Sequence, residues 1–342
     1  MRERPIRRSP LMLRRGRPFM IGCPSVPRTR VWLAALLAAV GPWGSARSVE
    51  PIGNRGPKQD KQLTQRWKVG VEITARGPCV GIVATAPVPI EWPEQQVRVI
   101  EEDVSPEVGR VTYRVLDNGV KQMVVAVPQL APGKKAKAIV TLEITRASLL
   151  PPDDPTIFRI PRRIPKDVRK WLGAGPYIET QNGEIRRKAQ EVIVGKESAW
   201  EQVEAMYDWV RENVKYRDGE LKGALAAMRD GTGDCEELTS LFIAFCRVNK
   251  IPARTVWVPG HCYPEFYLED ESGTGYWIPC QAAGTRALGG IPEHRPILQK
   301  GDSFKVPEVR EPQRYVAEFL QASSVGGMPP EVKFIRDLLP AP

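Results

Sequence analysis

Gly231-Thr232-Gly233-Asp234-Cys235-Glu236-Glu237-Leu238 is the stretch on which the reading of this chain turns. Asp234 can act as the N-cap of a helix, and Glu237 three residues later completes a capping-box pattern. Leu238, Leu241, Phe242 and Phe245 then recur at i, i+3, i+4 spacing, so a helix is predicted from Cys235 onward. A cysteine at the first helical position meets orphan backbone N–H groups and the positive end of the helix dipole. Both favour thiolate over thiol. The plain alternative is a small buried residue that happens to start a helix. A partner histidine would separate the two readings, and the chain has only two histidines. His261 follows Pro259-Gly260 at the start of a predicted strand, whereas His294 lies in a Pro-rich loop.

Working outward from Cys235, helical spacing also joins Val203, Met206, Tyr207, Val210 and Val214, in a helix on whose core side Trp200 and Trp209 fit. Strand-like runs follow at 255–258, 263–268 and 276–280. Toward the N-terminus the period changes to two. Segments 69–74, 97–100, 111–116, 122–127 and 138–145 alternate as β-strands, with Asp117-Asn118-Gly119 and Pro132-Gly133 as turns. They predict a β-sandwich domain over 66–148. A Pro-rich linker over 149–165 separates it from a helical and mixed unit over 166–310, because Pro interrupts both ladders and helices. Residues 47–65 are polar and read as a linker. The tail, 311–342, is predicted to hold one amphipathic helix around Gln313–Gln321.

Composition is that of a globular protein, with 42% hydrophobic and 26% charged residues. The net charge of +10 invites a nucleic-acid reading, but residues 1–46 hold nine Arg and one Glu and so carry most of it. Arg28 and Arg30 precede an apolar run, 31–40, followed by Gly44-Ser45-Ala46. This is the pattern of a secretory signal with cleavage near Ala46, and Met20 is a candidate start. The run is half of the roughly 20 residues that a membrane span needs. The expectation is an exported protein, periplasmic or secreted, with no nucleic-acid partner and no membrane association after cleavage. Past the leader lie five cysteines, an odd number, so at least one thiol is unpaired within the chain.

From about Trp200 to Gln281 the chain resembles the transglutaminase-like family of papain-like thiol enzymes. The resemblance is carried by Ala205-Met206-Tyr207-Asp208-Trp209-Val210 with Val214-Lys215-Tyr216, by Gly233-Asp234-Cys235, by Ile251-Pro252-Ala253-Arg254, and by His261 ahead of Glu265-Phe266-Tyr267. It implies an α+β fold in which a helix bearing the nucleophile packs on an antiparallel sheet bearing the base, here preceded by the small all-β sandwich. It also implies a reaction. The Cys235 thiolate attacks a carboxamide of a protein or peptide, His261 passes a proton to the leaving amine, and the thioester moves on to an amine or to water. A cysteine peptidase or amidase on the same core, and an inactive binding module, are the alternatives. Cell-envelope proteins are candidate substrates.

Members of that family usually carry Asp in a Trp-x-Pro-x-Asp segment on the strand after the histidine. Here Trp277-Ile278-Pro279-Cys280-Gln281 puts Gln281 in that slot. A Gln carbonyl can orient an imidazole but brings no charge. The predicted catalytic set is therefore Cys235, His261 and Gln281, with no cofactor. Pairing 263–268 with 276–280 around a turn near 271–273 places His261 opposite Gln281 and Cys262 opposite Cys280. A Cys262–Cys280 disulfide and a pair of small buried residues are both compatible with that register. Cys246 and Cys79 read as structural, Arg254 as the partner of a carboxylate, and no His/Cys spacing suits zinc.

Overall fold

A computed structural model of the protein describes residues 55–116 and 119–339. The leader expectation, the 47–54 part of the predicted linker and the Asp117-Asn118 part of the predicted turn lie outside the described residues; from Lys58 onward the stretch expected to be linker is strand. Six strands come first: β1 (Lys58–Thr74), β2 (Cys79–Val88), β3 (Gln95–Val104), β4 (Arg110–Val115), β5 (Lys121–Leu130) and β6 (Lys135–Leu150). Their alternation buries Val69, Val71 and Ile73 of β1 against Ile82, Val125 and Val127 of the facing strands. The result is two four-stranded antiparallel sheets packed face to face.

Next comes a mixed unit with helices α1 (Lys166–Arg169), α2 (Gly183–Val192) and α3 (Ala199–Asn213), strand β7 (Lys215–Tyr216), helix α4 (Ala224–Asp230), strand β8 (Thr232–Gly233) and helix α5 (Cys235–Val248). Strands β9 (Ala253–Val258), β10 (His261–Glu269), β11 (Gly275–Pro279) and β12 (Gln299–Lys300) form a third sheet in the order β11-β10-β9-β12. Helix α5 is buried from Glu237 to Arg247 and lies on β10 and β9. Phe242 and Phe245 belong to its core with Phe266, Ile278 and Tyr207. Burial of each such phenyl ring contributes about 1.5–3 kcal/mol relative to exposure.

The end of the chain departs from expectation. The segment expected to form a helix at Gln313–Gln321 runs without helix into strand β13 (Phe319–Ser324), and β14 (Glu331–Leu339) follows. β14 pairs with β1, and β13 with β2, so each sheet of the sandwich takes one edge strand from the C-terminus. The mixed unit is thus an insertion between β6 and β13. Phe319 to Ser324 could bury one helical stripe, but pairing with β2 satisfies its backbone and still places Leu320 and Ala322 on the sandwich core.

The hairpin that carries His261 also differs from the expected register. Glu265 pairs with Pro279 and Glu269 with Gly275, two residues away from the predicted alignment. The cause is Asp270, whose Oδ1 accepts hydrogen bonds from the backbone N–H of Ser272 and of Thr274 and so moves the turn along the chain. Because a slip of two residues preserves which face each side chain occupies, the hydrophobic pattern does not resist it. Cys280 now donates its N–H to the carbonyl of Pro264 rather than lying opposite Cys262. Both cysteines are free thiols, and the Cys262–Cys280 disulfide is not formed.

The far face of the third sheet meets the sandwich through buried charge. Lys300 bridges Glu94 at 2.7 Å and Glu265 at 3.0 Å, and Glu265 also pairs with Arg254, which stacks on Trp277. Arg254 therefore has the carboxylate partner expected for it. Arg146 of β6 donates to Tyr263 Oη at 2.7 Å and to the Arg295 carbonyl, while Arg295 donates to the carbonyl of Pro259 at 2.8 Å. These contacts tie the turn before His261 to the sandwich.

Candidate active site

The approach to Cys235 is set by a short parallel pair, in which Tyr216 of β7 lies beside Gly233 of β8. A Cβ at position 233 would stand 2.6 Å from Glu237 Cβ, so the chain can enter α5 here only with glycine. The predicted capping box is present. Asp234 accepts from the Glu236 N–H at 2.8 Å, and Glu237 Oε2 accepts from the Asp234 N–H at 2.9 Å. Glu237 Oε1 also holds the Lys222 N–H at 3.0 Å, joining the preceding loop to the helix start. Cys235 is left at the first helical position, partly buried, with its thiol toward β10.

The structure brings the three predicted side chains together. His261 stabilises the ionised Cys235 thiol, and its Nε2 lies 3.3 Å from Gln281 Oε1. A proton on Nε2 donated to that carbonyl leaves Nδ1 as the ring nitrogen that serves the thiol. Gln281 reaches His261 from beyond the end of β11, where its backbone is clamped. Its carbonyl accepts from Tyr207 Oη and from Arg211 Nη1, each at 2.9 Å, and its N–H donates to Ala287 at 2.8 Å. Tyr207 and Arg211 read in sequence as ordinary positions of α3; nothing in their spacing signals this contact.

The Cys235 thiol is held well below its ordinary value. A hydrogen bond from the Cys262 thiol is the largest cause, and the hydrogen bond and charge of His261 add to it. Burial and the Asp234 carboxylate oppose them. Cys262 itself is pushed well above the usual thiol range by burial and by the neighbouring Cys235, so it keeps its proton.

A small pocket beside the first turn of α5 has Tyr177, Leu221, Glu236, Trp257, Cys262 and Arg314 in its lining. Tyr177 adopts φ of +65°, a conformation that costs a side-chain-bearing residue on the order of 1–3 kcal/mol. Arg314 pairs with Glu236 and stacks on Trp257, 5.2 Å from the ring centroid. It arrives from the segment that returns to the sandwich. Burial pushes the Glu236 carboxyl up to about 7 from an ordinary 4.5, with the Arg314 charge opposing and the Cys235 thiolate assisting. Between those values the folded state binds a proton that the unfolded chain has lost. Stability therefore falls as pH rises from about 4.5 to about 7 and levels off above. Glu236→Gln is expected to flatten that slope in melting temperatures taken from pH 4.5 to 8, and an unchanged slope would show that Glu236 does not cause it.

Among the described residues no cluster of three or more His, Cys, Asp or Glu side chains is arranged to hold a metal ion. No described helix is long and apolar enough to cross a membrane.

Residues 186–282 match the family model of the transglutaminase-like superfamily. Among solved structures, the fold is similar to that of a protein described as a "Putative Cysteine Protease from Cytophaga hutchinsonii", with TM-score 0.53 and 17% identity over 82% of this chain and 92% of that one. A second structure, described as a "putative protease from Parabacteroides distasonis", aligns at TM-score 0.27 and 13% identity over 69% of this chain and 48% of that one. No curated protein matches the chain.

Proposed function

Because the chain carries a transglutaminase-like superfamily domain, a core of the cysteine-enzyme type, we propose that it is an exported acyltransferase or hydrolase acting on carboxamides of proteins or peptides. Cys235 is the nucleophile, His261 its base and acid, and Gln281 the acceptor that orients the imidazole. The observation that carries this reading is a Cys235 thiol at the N-terminus of a buried helix, whose ionised form is stabilised by His261, with Gln281 Oε1 3.3 Å from His261 Nε2.

In the proposed reaction the Cys235 thiolate forms a bond to the amide carbon while His261 holds the proton. The tetrahedral oxyanion lies near the backbone N–H of Cys235, which belongs to the first helical turn and has no intrahelical acceptor. The C–N bond then breaks, His261 gives its proton to the departing ammonia or amine, and a thioester remains. An amine or a water deprotonated by His261 releases the acyl group. Peptide-bond cleavage is the second reading, and it has the support of the fold shared with the Cytophaga protein. Export rests on the Arg-flanked apolar run 31–40, and it makes cell-envelope proteins the first substrates to try.

The test incubates the protein with a labelled primary amine and a glutamine-rich acceptor protein, beside the Cys235→Ala variant. Cys235-dependent incorporation supports transfer, release of ammonia alone supports deamidation, and new chain ends support the peptidase. None of the three would end the enzyme reading. Gln281→Glu keeps the length of the side chain and adds the charge that Gln lacks, so it is expected to raise kcat several-fold by stabilising the imidazolium. A kcat that stays level or falls would show that the third position does not limit the rate.

A further inference from the structure

The loop that follows β11 is held against one face of α3. Glu204, Tyr207, Asp208 and Arg211 recur at helical spacing, and all four contact the loop. Arg211 Nη1 donates to the carbonyls of Gln281 at 2.9 Å and Ala282 at 3.1 Å, and its Nη2 donates to the carbonyl of Gly284 at 2.8 Å. Tyr207 Oη donates to the Gln281 carbonyl at 2.9 Å and accepts from the Ala287 N–H at 3.0 Å. Arg286, from within the loop, pairs back with Glu204 and Asp208 and lies over the Tyr207 ring. At its base the loop is closed by the hydrogen bond from the Gln281 N–H to the Ala287 carbonyl. Three carbonyls thus converge on one guanidinium, whose planar fork of donors fixes the angles between them as an ammonium could not.

We propose that Arg211 is a positioning residue for the reaction, which with Tyr207 fixes the Gln281 backbone so that Oε1 meets the Nε2–H of His261. The proposal rests on Cys235 being the nucleophile and His261 its base. The chemistry of the third position supplies the reason. A carboxylate attracts an imidazolium with an energy that falls only as the inverse of distance. A neutral amide has no such reach, because its hydrogen bond weakens steeply once distance or angle is lost. The 3.3 Å between Gln281 Oε1 and His261 Nε2 already exceeds the usual range of about 2.7–3.2 Å, so a small further displacement breaks the contact. Gln also has one more rotatable bond than Asp, and any play in its backbone is amplified at Oε1. The loop closes over the amide as well: a Cβ on Gly284 would stand 3.5 Å from Gln281 Nε2. Arg211 therefore acts through Gln281, on the orientation and tautomer of the ring.

The experiment reads that tautomer directly. The chain has two histidines, so imidazole nitrogen NMR separates His261 from His294, which contacts the Lys61 carbonyl and serves as the internal reference. Spectra are taken at about pH 9, well above the titration of an ordinary imidazole, in the Cys235→Ala protein, where no thiolate keeps the ring protonated. The same protein carrying Arg211→Met or Tyr207→Phe is compared with it. The parent is expected to show His261 as the Nε2–H tautomer. Arg211→Met is expected to lower the ratio of that tautomer to the Nδ1–H form about tenfold, the equivalent of one lost hydrogen bond, and Tyr207→Phe several-fold. Tyr207→Phe removes a hydroxyl and no charge, so a shift in both variants assigns the effect to position rather than to the field of the guanidinium. A merely structural role would lower the melting temperature and leave the ratio in place. Unchanged ratios in both variants overturn the proposal, as does a shift confined to Arg211→Met or a parent ring without the Nε2–H preference. Should circular dichroism show Arg211→Met to be unfolded, Tyr207→Phe decides alone. The nucleophile reading fails separately, if Cys235 of the wild type reacts with iodoacetamide at neutral pH no faster than an ordinary thiol.

Discussion

Amide turnover by the Cys235→Ala variant is expected to fall by a factor on the order of 10⁴ or more, with the fold intact. Alanine keeps helix α5 and its capping box, because the box is built from Asp234, Glu237 and backbone groups rather than from the thiol. It removes the atom that forms the thioester, so no covalent route remains and only binding and the oxyanion donor are left to accelerate hydrolysis. His261→Ala is expected to lose nearly as much, since the thiol then has no proton acceptor and the leaving amine no proton donor. The two losses should not add, because the residues act as one unit. Single-turnover rates of ammonia release provide the measurement. A double variant that loses the product of the two single effects would mean that they serve separate steps.

The largest expected loss of stability is at Asp302. Both of its carboxylate oxygens accept from Arg247 Nη2, at 2.8 and 2.7 Å, and the two side chains are 2% and 1% exposed. Arg247 closes the last turn of α5 and also donates to the carbonyls of Ala253 and Gly173, so this one guanidinium joins the helix to β9 and to the loop after α1. Asp302→Ala leaves that charge buried with no counter-ion, and the cost is expected to be about 3–5 kcal/mol in urea unfolding. The paired substitution Arg247→Met with Asp302→Leu removes both charges and should cost less than Asp302→Ala alone. If the double variant is the less stable of the two, desolvation of the ion pair is not the governing effect.

Much of this architecture was legible along the chain because it depends on neighbours a few residues apart. The capping box at Asp234 and Glu237, the apolar stripe of α5 and the period-two segments of the sandwich are each local patterns, and each corresponds to an element in the structure. Where local pattern failed, a distant partner had overridden it. Residues 319–324 could satisfy their backbone alone as a helix, but an open edge of β2 offered the same hydrogen bonds together with apolar cover. β14 went unread although Val332, Phe334 and Leu338 alternate, because the strand has meaning only as the neighbour of β1, more than 250 residues earlier in the chain. The hairpin of β10 and β11 illustrates a subtler limit. Hydrophobic alternation selects a face but not one of two registers two residues apart, and the side chain of Asp270 made that choice.

The stretch from Gly231 to Leu238 determined by itself that a cysteine would stand at a helix start, since capping and dipole act within one turn. The same holds for the rarity of histidine, which left few candidates for a base. Tertiary structure alone decided what surrounds that cysteine: the Cys262 thiol against its carbonyl oxygen, Arg314 over Glu236, and Tyr207 with Arg211 gripping the Gln281 carbonyl. None of these follows from spacing, because the charge and reactivity of a side chain respond to whatever lies within a few ångströms in space. Folding brought those groups to the thiol from the neighbouring helix and strand and from the segment that returns to the sandwich.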